Sequence, residues 1–149
     1  MSAGEGRRYG MGKFDPSKMR SRGDVGEDVI AAYLEEHKCT IIARNFTARG
    51  GEIDLIAENE VRILFVEVKS RVIDTDTLRY GRPAAAVTYD KQRRIISTAR
   101  EYLRRHPSEK AVRFDVAEVF LSKDTPPVVR NINYMKNAFI LQKGRNDYE

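Results

Sequence analysis

Cysteine is almost missing from this chain: Cys39 stands alone among 149 residues. No intramolecular disulfide can form, and a cysteine-rich zinc site is excluded. The same scarcity fits a reducing cytoplasm, which is the expected location. As the first residue of an expected strand, Cys39 reads as a small core residue rather than a nucleophile. Long apolar runs are missing too, none approaching the roughly 20 residues of a membrane-spanning helix. The first residues lack the apolar core of a signal peptide, so neither membrane contact nor export is expected. Histidine is nearly as scarce, and His37 and His106 both fall where helices should close, a position that suits a cation. No internal repeat or low-complexity segment is visible.

What the chain has in abundance is charge. Charged residues make up 33% and hydrophobic residues 41%, a globular composition with a heavily solvated surface. A length of 149 residues suits one sizeable core and not two. Lys and Arg number 27 against 22 Asp and Glu, and the net charge of +5 favours polyanionic partners. So modest an excess predicts a local field, a basic surface around an acidic spot. Residues 1–22 combine four glycines with Arg7, Arg8, Lys13, Lys18, Arg20 and Arg22, and read as a disordered basic tail. Two readings of that tail stay open, an arm that touches nucleic acid and a solvated terminus without a role. The folded domain is expected over residues 23–142, followed by a short tail at 143–149.

Helical spacing starts at Asp24, where Val25, Val29, Ala32 and Tyr33 recur with Ile30 and Leu34 beside them, and ends near His37. Residues 40–46, 52–57 and 62–68 read as strands, with turns at 50–51 and 58–60. After an irregular stretch from about Val72 to Pro83, residues 91–105 place Ile95, Ile96, Ala99, Tyr102 and Leu103 on one face and arginines elsewhere. That is a second amphipathic helix, stopped by Pro107. Residues 112–121, VRFDVAEVFL, alternate as a fourth strand, and a weaker extended segment runs on to Leu141 across Pro126 and Pro127. A helix between the third and fourth strands permits a parallel crossover. The fold class is therefore α/β, a mixed sheet with helices packed on it.

Within this pattern the stretch GEIDLIAENEVRILFVEVKSR, residues 51–71, places Glu52, Asp54, Glu67 and Lys69 inside apolar runs. An unpaired buried charge there costs several kcal/mol or neutralises itself. Alternation puts Glu67 and Lys69 on one face of the third strand and Glu52 and Asp54 on one face of the second. A hairpin through residues 58–60 would bring Asp54 and Glu67 together, with Lys69 one step along. Facing carboxylates repel unless a cation lies between them. A hard divalent ion with oxygen ligands resolves the conflict, and a neighbouring lysine can orient or help deprotonate an attacking water. Glu27, one turn before Ile30 and Leu34, can reach the same spot from the first helix, and Gln92 holds an odd inner place for an amide on the second. Plainer readings stand beside each of these. Asp24 and Glu27 form an acceptable capping box, Glu67 and Lys69 an ordinary same-face ion pair, Glu52 a surface acid and Gln92 a solvated helix start.

GEIDLI at residues 51–56 followed by FVEVK at 65–69 resembles the signature of the PD-(D/E)XK nuclease superfamily, an Asp and then a strand with Glu-x-Lys. More closely, RGDVGEDVIAAYLEEHKCTIIARNF, GGEIDLIA, LFVEVKSR, YGRPAAAVTYDKQRRI and RFDVAEV are similar, in that order, to successive blocks of the YraN family. That family of uncharacterised bacterial proteins is regarded as related to archaeal Holliday junction resolvases. The resemblance spans residues 22–139 and implies a restriction-endonuclease-like mixed β-sheet flanked by α-helices. It further implies hydrolysis of phosphodiester bonds in DNA, branched or junction DNA included, with Mg²⁺ or Mn²⁺. Carried over residue by residue, Asp54 and Glu67 are implied as metal-binding acids, the carbonyl of Val68 as a further ligand and Lys69 as the catalytic lysine. Glu27 corresponds to the acid on the first helix, and Gln92 to the polar residue of the following helix. The chain departs from the family pattern at Tyr134, where relatives often carry histidine, and at Ala84 and Ala85, where an acid is common.

The leading expectation is a metal-dependent endonuclease. Arg71, Arg79, Arg82, Lys91, Arg93 and Arg94 flank the expected centre and would grip the nucleic-acid backbone without reading its sequence. Tyr80 could stack on an unpaired base or simply pack. A two-fold symmetric junction would suit a homodimer. The rivals are a non-catalytic nucleic-acid-binding module that keeps the fold, and a purely structural protein partner.

Overall fold

The computed structural model describes residues 22–73 and 87–140. Arg79 and Arg82, with Tyr80, Ala84 and Ala85, lie outside the described residues, as do residues 1–21 and 141–149.

Apolar pattern decides the layering. The run ILFV makes β3 (Arg62–Val72) a strand buried on both faces, the behaviour of a central strand with a parallel neighbour. It is preceded by α1 (Arg22–Glu36), β1 (Thr40–Ala48) and β2 (Gly51–Glu58), and followed by α2 (Tyr89–Arg105), β4 (Ala111–Leu121) and β5 (Val129–Phe139). The five strands form one sheet in chain order. All neighbours are antiparallel except β3 and β4, which run parallel because α2 carries the chain from one to the other. The mixed α/β sheet flanked by helices is thus as the alternation of elements predicts.

Each face has its own core. Val25, Val29, Ile30 and Leu34 of α1 pack on Leu55, Leu64, Val66 and Val119, with Cys39 buried at their edge. On the other face Ile95, Ala99 and Tyr102 of α2 pack on Ile53, Ile56, Phe65 and Phe114. Thr88 caps α2, its hydroxyl accepting from the Lys91 N–H at 3.2 Å. At the far end the His106 N–H donates to the Tyr102 carbonyl and the imidazole stacks on the Tyr102 ring, before Pro107 ends the helix. His37 closes α1 in the same manner, stacked on Tyr33 with centroids 4.1 Å apart.

The α1 start differs from the sequence expectation. Helix begins at Arg22, so Asp24 lies inside the first turn and is not a cap. The capping-box explanation of Glu27 therefore fails, since a cap residue has to stand outside the helix with its side chain folded back on the first N–H groups.

The β2–β3 turn sets the register on which the site depends. Asn59 Oδ1 accepts from the N–H groups of Val61 and Arg62 at 2.9 and 2.8 Å, and the Asn59 N–H donates to the Arg62 carbonyl. An Asn side chain that closes a turn in this way fixes the hairpin locally. Glu58 then pairs with Ile63 and Leu55 with Val66.

At the other edge of the sheet the Asp115 carboxylate, fully buried in β4, organises β5. It accepts two bonds from the Arg113 guanidinium at 2.9 Å, one from the Tyr134 hydroxyl at 2.6 Å and one from the Asn137 N–H at 2.9 Å. Asn137 has a φ of 54°, a left-handed conformation that asparagine tolerates, and β5 shifts register over this stretch. Tyr134 is thereby a strut of the sheet, and burial together with the Asp115 charge pushes its phenol pKa far up.

Candidate active site

The antiparallel ladder between β2 and β3 ends at Leu55 and Val66, and the next pair would be Asp54 and Glu67. Alternation along β2 breaks at that point. Ile53 and Ile56 both face α2, whereas Leu55 and Ala57 face α1, so the strand turns about Asp54. The ladder's next hydrogen bond goes to a side chain, with the Val68 N–H donating to Asp54 Oδ2 at 2.8 Å. The irregularity frees Asp54 from a simple inward or outward position and turns its half-buried carboxylate toward Glu67. Glu67 itself is only 9% exposed.

Two carboxylates this close and this dry resist ionisation together. Burial, and then the charge of Asp54, push the Glu67 pKa up from 4.5 to about 7. Asp54 is raised as well, chiefly by burial and also by the nearby charge of the exposed Glu52, against the stabilising N–H of Val68. Glu27 arrives from α1, half-buried, with its pKa raised to about 6 by burial and then by Asp54. Asn45 of β1, at a φ of 50°, holds Glu27 by a side-chain hydrogen bond. Three acids thus share one electrostatic neighbourhood. Among the described residues, however, no three His, Cys, Asp or Glu side chains make up a metal-holding set by themselves.

The basic groups fall out less evenly. Lys69, half-buried two positions along β3, lowers the Glu67 pKa by its charge. A larger opposing effect comes from Lys91 at the start of α2, whose Nζ lies 3.5 Å from Glu67 Oε1. Gln92 points elsewhere: its Nε2 donates to the Val87 carbonyl at 3.0 Å, anchoring the first turn of α2. Arg71 stays exposed but is tied to the sheet, with Nε 2.5 Å from Oε2 of the buried Glu118. Arg93 and Arg94 are exposed, the former over the Tyr89 ring at 5.8 Å. Sequence reasoning therefore places Lys91 among the backbone-gripping cations and overlooks its meeting with Glu67. It also overlooks Glu118, although VAEV carries the same signal as FVEVK, an acid inside an apolar run.

Chemically the arrangement offers two facing carboxylates, main-chain groups of Val68, and two lysines approaching from β3 and α2. This is a hard-oxygen donor set of the kind that suits Mg²⁺ or Mn²⁺, with open positions left for water and phosphate oxygens.

Residues 26–119 match the family model described as Uncharacterised protein family UPF0102, a span that takes in Glu27, Asp54, Glu67, Lys69, Lys91 and Gln92. A "UPF0102 protein" of Geobacter metallireducens is 40% identical over 123 residues, covering 82% of this chain and 94% of that protein. Another, from Rhodococcus opacus, is 45% identical over 120 residues, covering 78% and 94%. A third, from Clostridioides difficile, is 36% identical over 121 residues, covering 80% and 97%.

Proposed function

The chain belongs to the uncharacterised protein family UPF0102, and from its carboxylate pair we propose that it is a divalent-metal-dependent endonuclease of PD-(D/E)XK type that hydrolyses phosphodiester bonds in DNA. The observation that carries this reading is the convergence of Asp54 and Glu67 where the β2–β3 ladder gives out. A fold gains nothing from two facing carboxylates whose burial raises both pKa values, whereas a cation site requires them. The helix-flanked mixed sheet, with an antiparallel hairpin followed by a parallel crossover, supports the superfamily assignment.

Asp54, Glu67 and the Val68 carbonyl would hold the ion, with Glu27 within electrostatic reach. When bound, Mg²⁺ or Mn²⁺ supplies Lewis-acid polarisation of the phosphate. Lys69 orients the attacking water and balances charge that develops on the phosphate oxygens. Lys91 keeps a second ammonium at the carboxylates, ready to meet a phosphate. Gln92 acts through α2, fixing the turn from which Lys91 projects. Branched DNA is the substrate that the implied kinship with junction resolvases favours, and a two-fold homodimer would match its symmetry.

One observation favours a second reading. Lys91 already gives Glu67 a counter-charge, so a binding module without catalysis could retain the acids as a closed ion pair. Labelled duplex, single-stranded and four-way-junction DNA, incubated with wild type and Lys69→Ala under Mg²⁺, Mn²⁺ or chelator, separates the two. Cleavage by wild type alone, abolished by chelator, is expected. Mn²⁺ affinity that is the same in wild type, Asp54→Asn and Glu67→Gln would refute the metal site.

A further inference from the structure

A second feature lies along α2, away from the carboxylates. The β1–β2 turn docks on this helix so closely that a Cβ on Gly50 would lie 2.8 Å from Ser97 Oγ, and one on Gly51 would lie 3.7 Å from Arg94 Cβ. Two adjoining hollows of about 350 and 480 Å³ flank the contact and share Gly50 and Ser97. Arg93 and Arg94 line the first, and Arg49, Arg104 and Arg105 line the second. Among the described residues that line the hollows, Asp90 and Glu101 are the acids set against these five guanidinium groups, and Glu101 pairs with Arg104 and Arg105. Residues 90, 94, 97, 101 and 104 recur at helical spacing, forming an outward stripe beside the one that packs on the sheet.

We propose that this stripe and the β1–β2 turn form a channel that holds the phosphodiester backbone of a nucleic-acid strand leading away from the carboxylate pair. Three points argue for it. The guanidinium groups supply the charge complementarity and the bidentate geometry that phosphates prefer. With no side chain at Gly50 to hold it off, the β1–β2 turn lies flush on Ser97 of α2, so that the two hollows adjoin across a low floor. The stripe spans about 22 Å at ~1.5 Å per residue, enough for several phosphates at ~3.4 Å of duplex axis per charge on one strand. Its near end adjoins Lys91 and hence Glu67, so a strand seated here passes the carboxylates. The channel rests on the endonuclease reading for the identity of the polyanion. It adds Arg49, Arg104 and Arg105 to the cations that the sequence pattern singles out.

The test uses the full chain in chelator, titrated with labelled DNA and RNA strands and a DNA duplex at several salt concentrations. An Arg49→Gln, Arg104→Gln, Arg105→Gln variant should bind roughly tenfold more weakly, with the slope of log K against log salt reduced by about 2 to 3. Arg130→Gln with Lys136→Gln, on the remote β5 edge, should leave both values unchanged. Ser97→Glu, which places a negative charge in the floor without removing any arginine pairing, should weaken binding in the same direction. Unchanged binding in both channel variants overturns the proposal, and so does an equal loss in the β5 variant. Wild-type protein that binds through the channel yet cleaves nothing would refute the endonuclease reading and leave the channel standing. Cleavage by the channel variants at unaltered KM would do the reverse.

Discussion

Replacing Glu67 by glutamine should make the metal-free protein more stable at pH 8, by an amount that follows from its surroundings. An acid whose pKa rises on folding holds its proton more tightly in the native state than in the unfolded chain. Stability therefore falls as pH climbs from 4.5, the ordinary value, to about 7, and is flat above that. This difference corresponds to about 3 kcal/mol. Glutamine keeps the shape and never ionises, so the variant escapes the loss. Lys91 forfeits its partner, but its side chain is 46% exposed, and a pair of that kind contributes no more than about 1 kcal/mol. The net gain is about 2 kcal/mol above pH 7, or roughly 4–8 °C in Tm for a domain of this size. Thermal and urea unfolding followed by circular dichroism between pH 4 and pH 8.5 would measure it. The two proteins should coincide at pH 4 and separate between 4.5 and 7. A glutamine variant no more stable than wild type at pH 8 would refute the reasoning, because Glu67 and Lys91 would then be an ordinary stabilising ion pair.

Other perturbations probe the same architecture. Mn²⁺ at 100 times its Kd should stabilise wild type at pH 8 by about 2.7 kcal/mol and leave Asp54→Asn and Glu67→Gln unaffected, so an equal Tm rise in all three would place the ion elsewhere. Asp115→Asn should cost about 3 kcal/mol or more in urea unfolding, because its amide meets the Arg113 and Asn137 donors with one acceptor in place of two. A loss below 1 kcal/mol would show that β5 does not depend on it. Gly26→Ala should destabilise despite alanine's better helix propensity, since the new Cβ would lie 2.0 Å from Ser70 Oγ. The companion Ser70→Gly should restore it, and a Gly26→Ala protein at least as stable as wild type would show that α1 has room to shift.

The elements were legible wherever a pattern is local. The ILFV run announces a strand covered on both sides, Pro107 stops α2, and the apolar spacing of α1 is regular. The pairing of Asp54 with Glu67 was legible for the same reason, because Asn59 fixes a short hairpin and the register follows by counting. Positions that depend on how a helix lies across the sheet were not. Lys91 and Gln92 are adjacent, and which of them meets Glu67 depends on the rotation of α2, set by Ile95, Ala99 and Tyr102 against β2 and β3. The weak pattern of β5 hid a strand whose register is set by a carboxylate on its neighbour.

That carboxylate shows why burial of charge, by itself, did not single out the site. Asp54, Glu67, Asp115 and Glu118 each present the same anomaly in the sequence, an acid within an apolar run. In β4 the anomaly is resolved inside the protein: Asp115 meets a bidentate guanidinium, a phenol and an N–H, and Glu118 meets Arg71 and Asn133. In β2 and β3 it is resolved less fully, since Asp54 receives the Val68 N–H and faces Glu67, and the charges of Lys69 and of the half-exposed Lys91, 3.5 Å from Glu67, leave both acids raised. Buried acids that hold a fold together are surrounded by donors, whereas the acids proposed here to take a cation face one another. Counting donors around each carboxylate therefore separates the strut from the site, and it needs the tertiary structure because the donors come from strands and helices far apart in the chain.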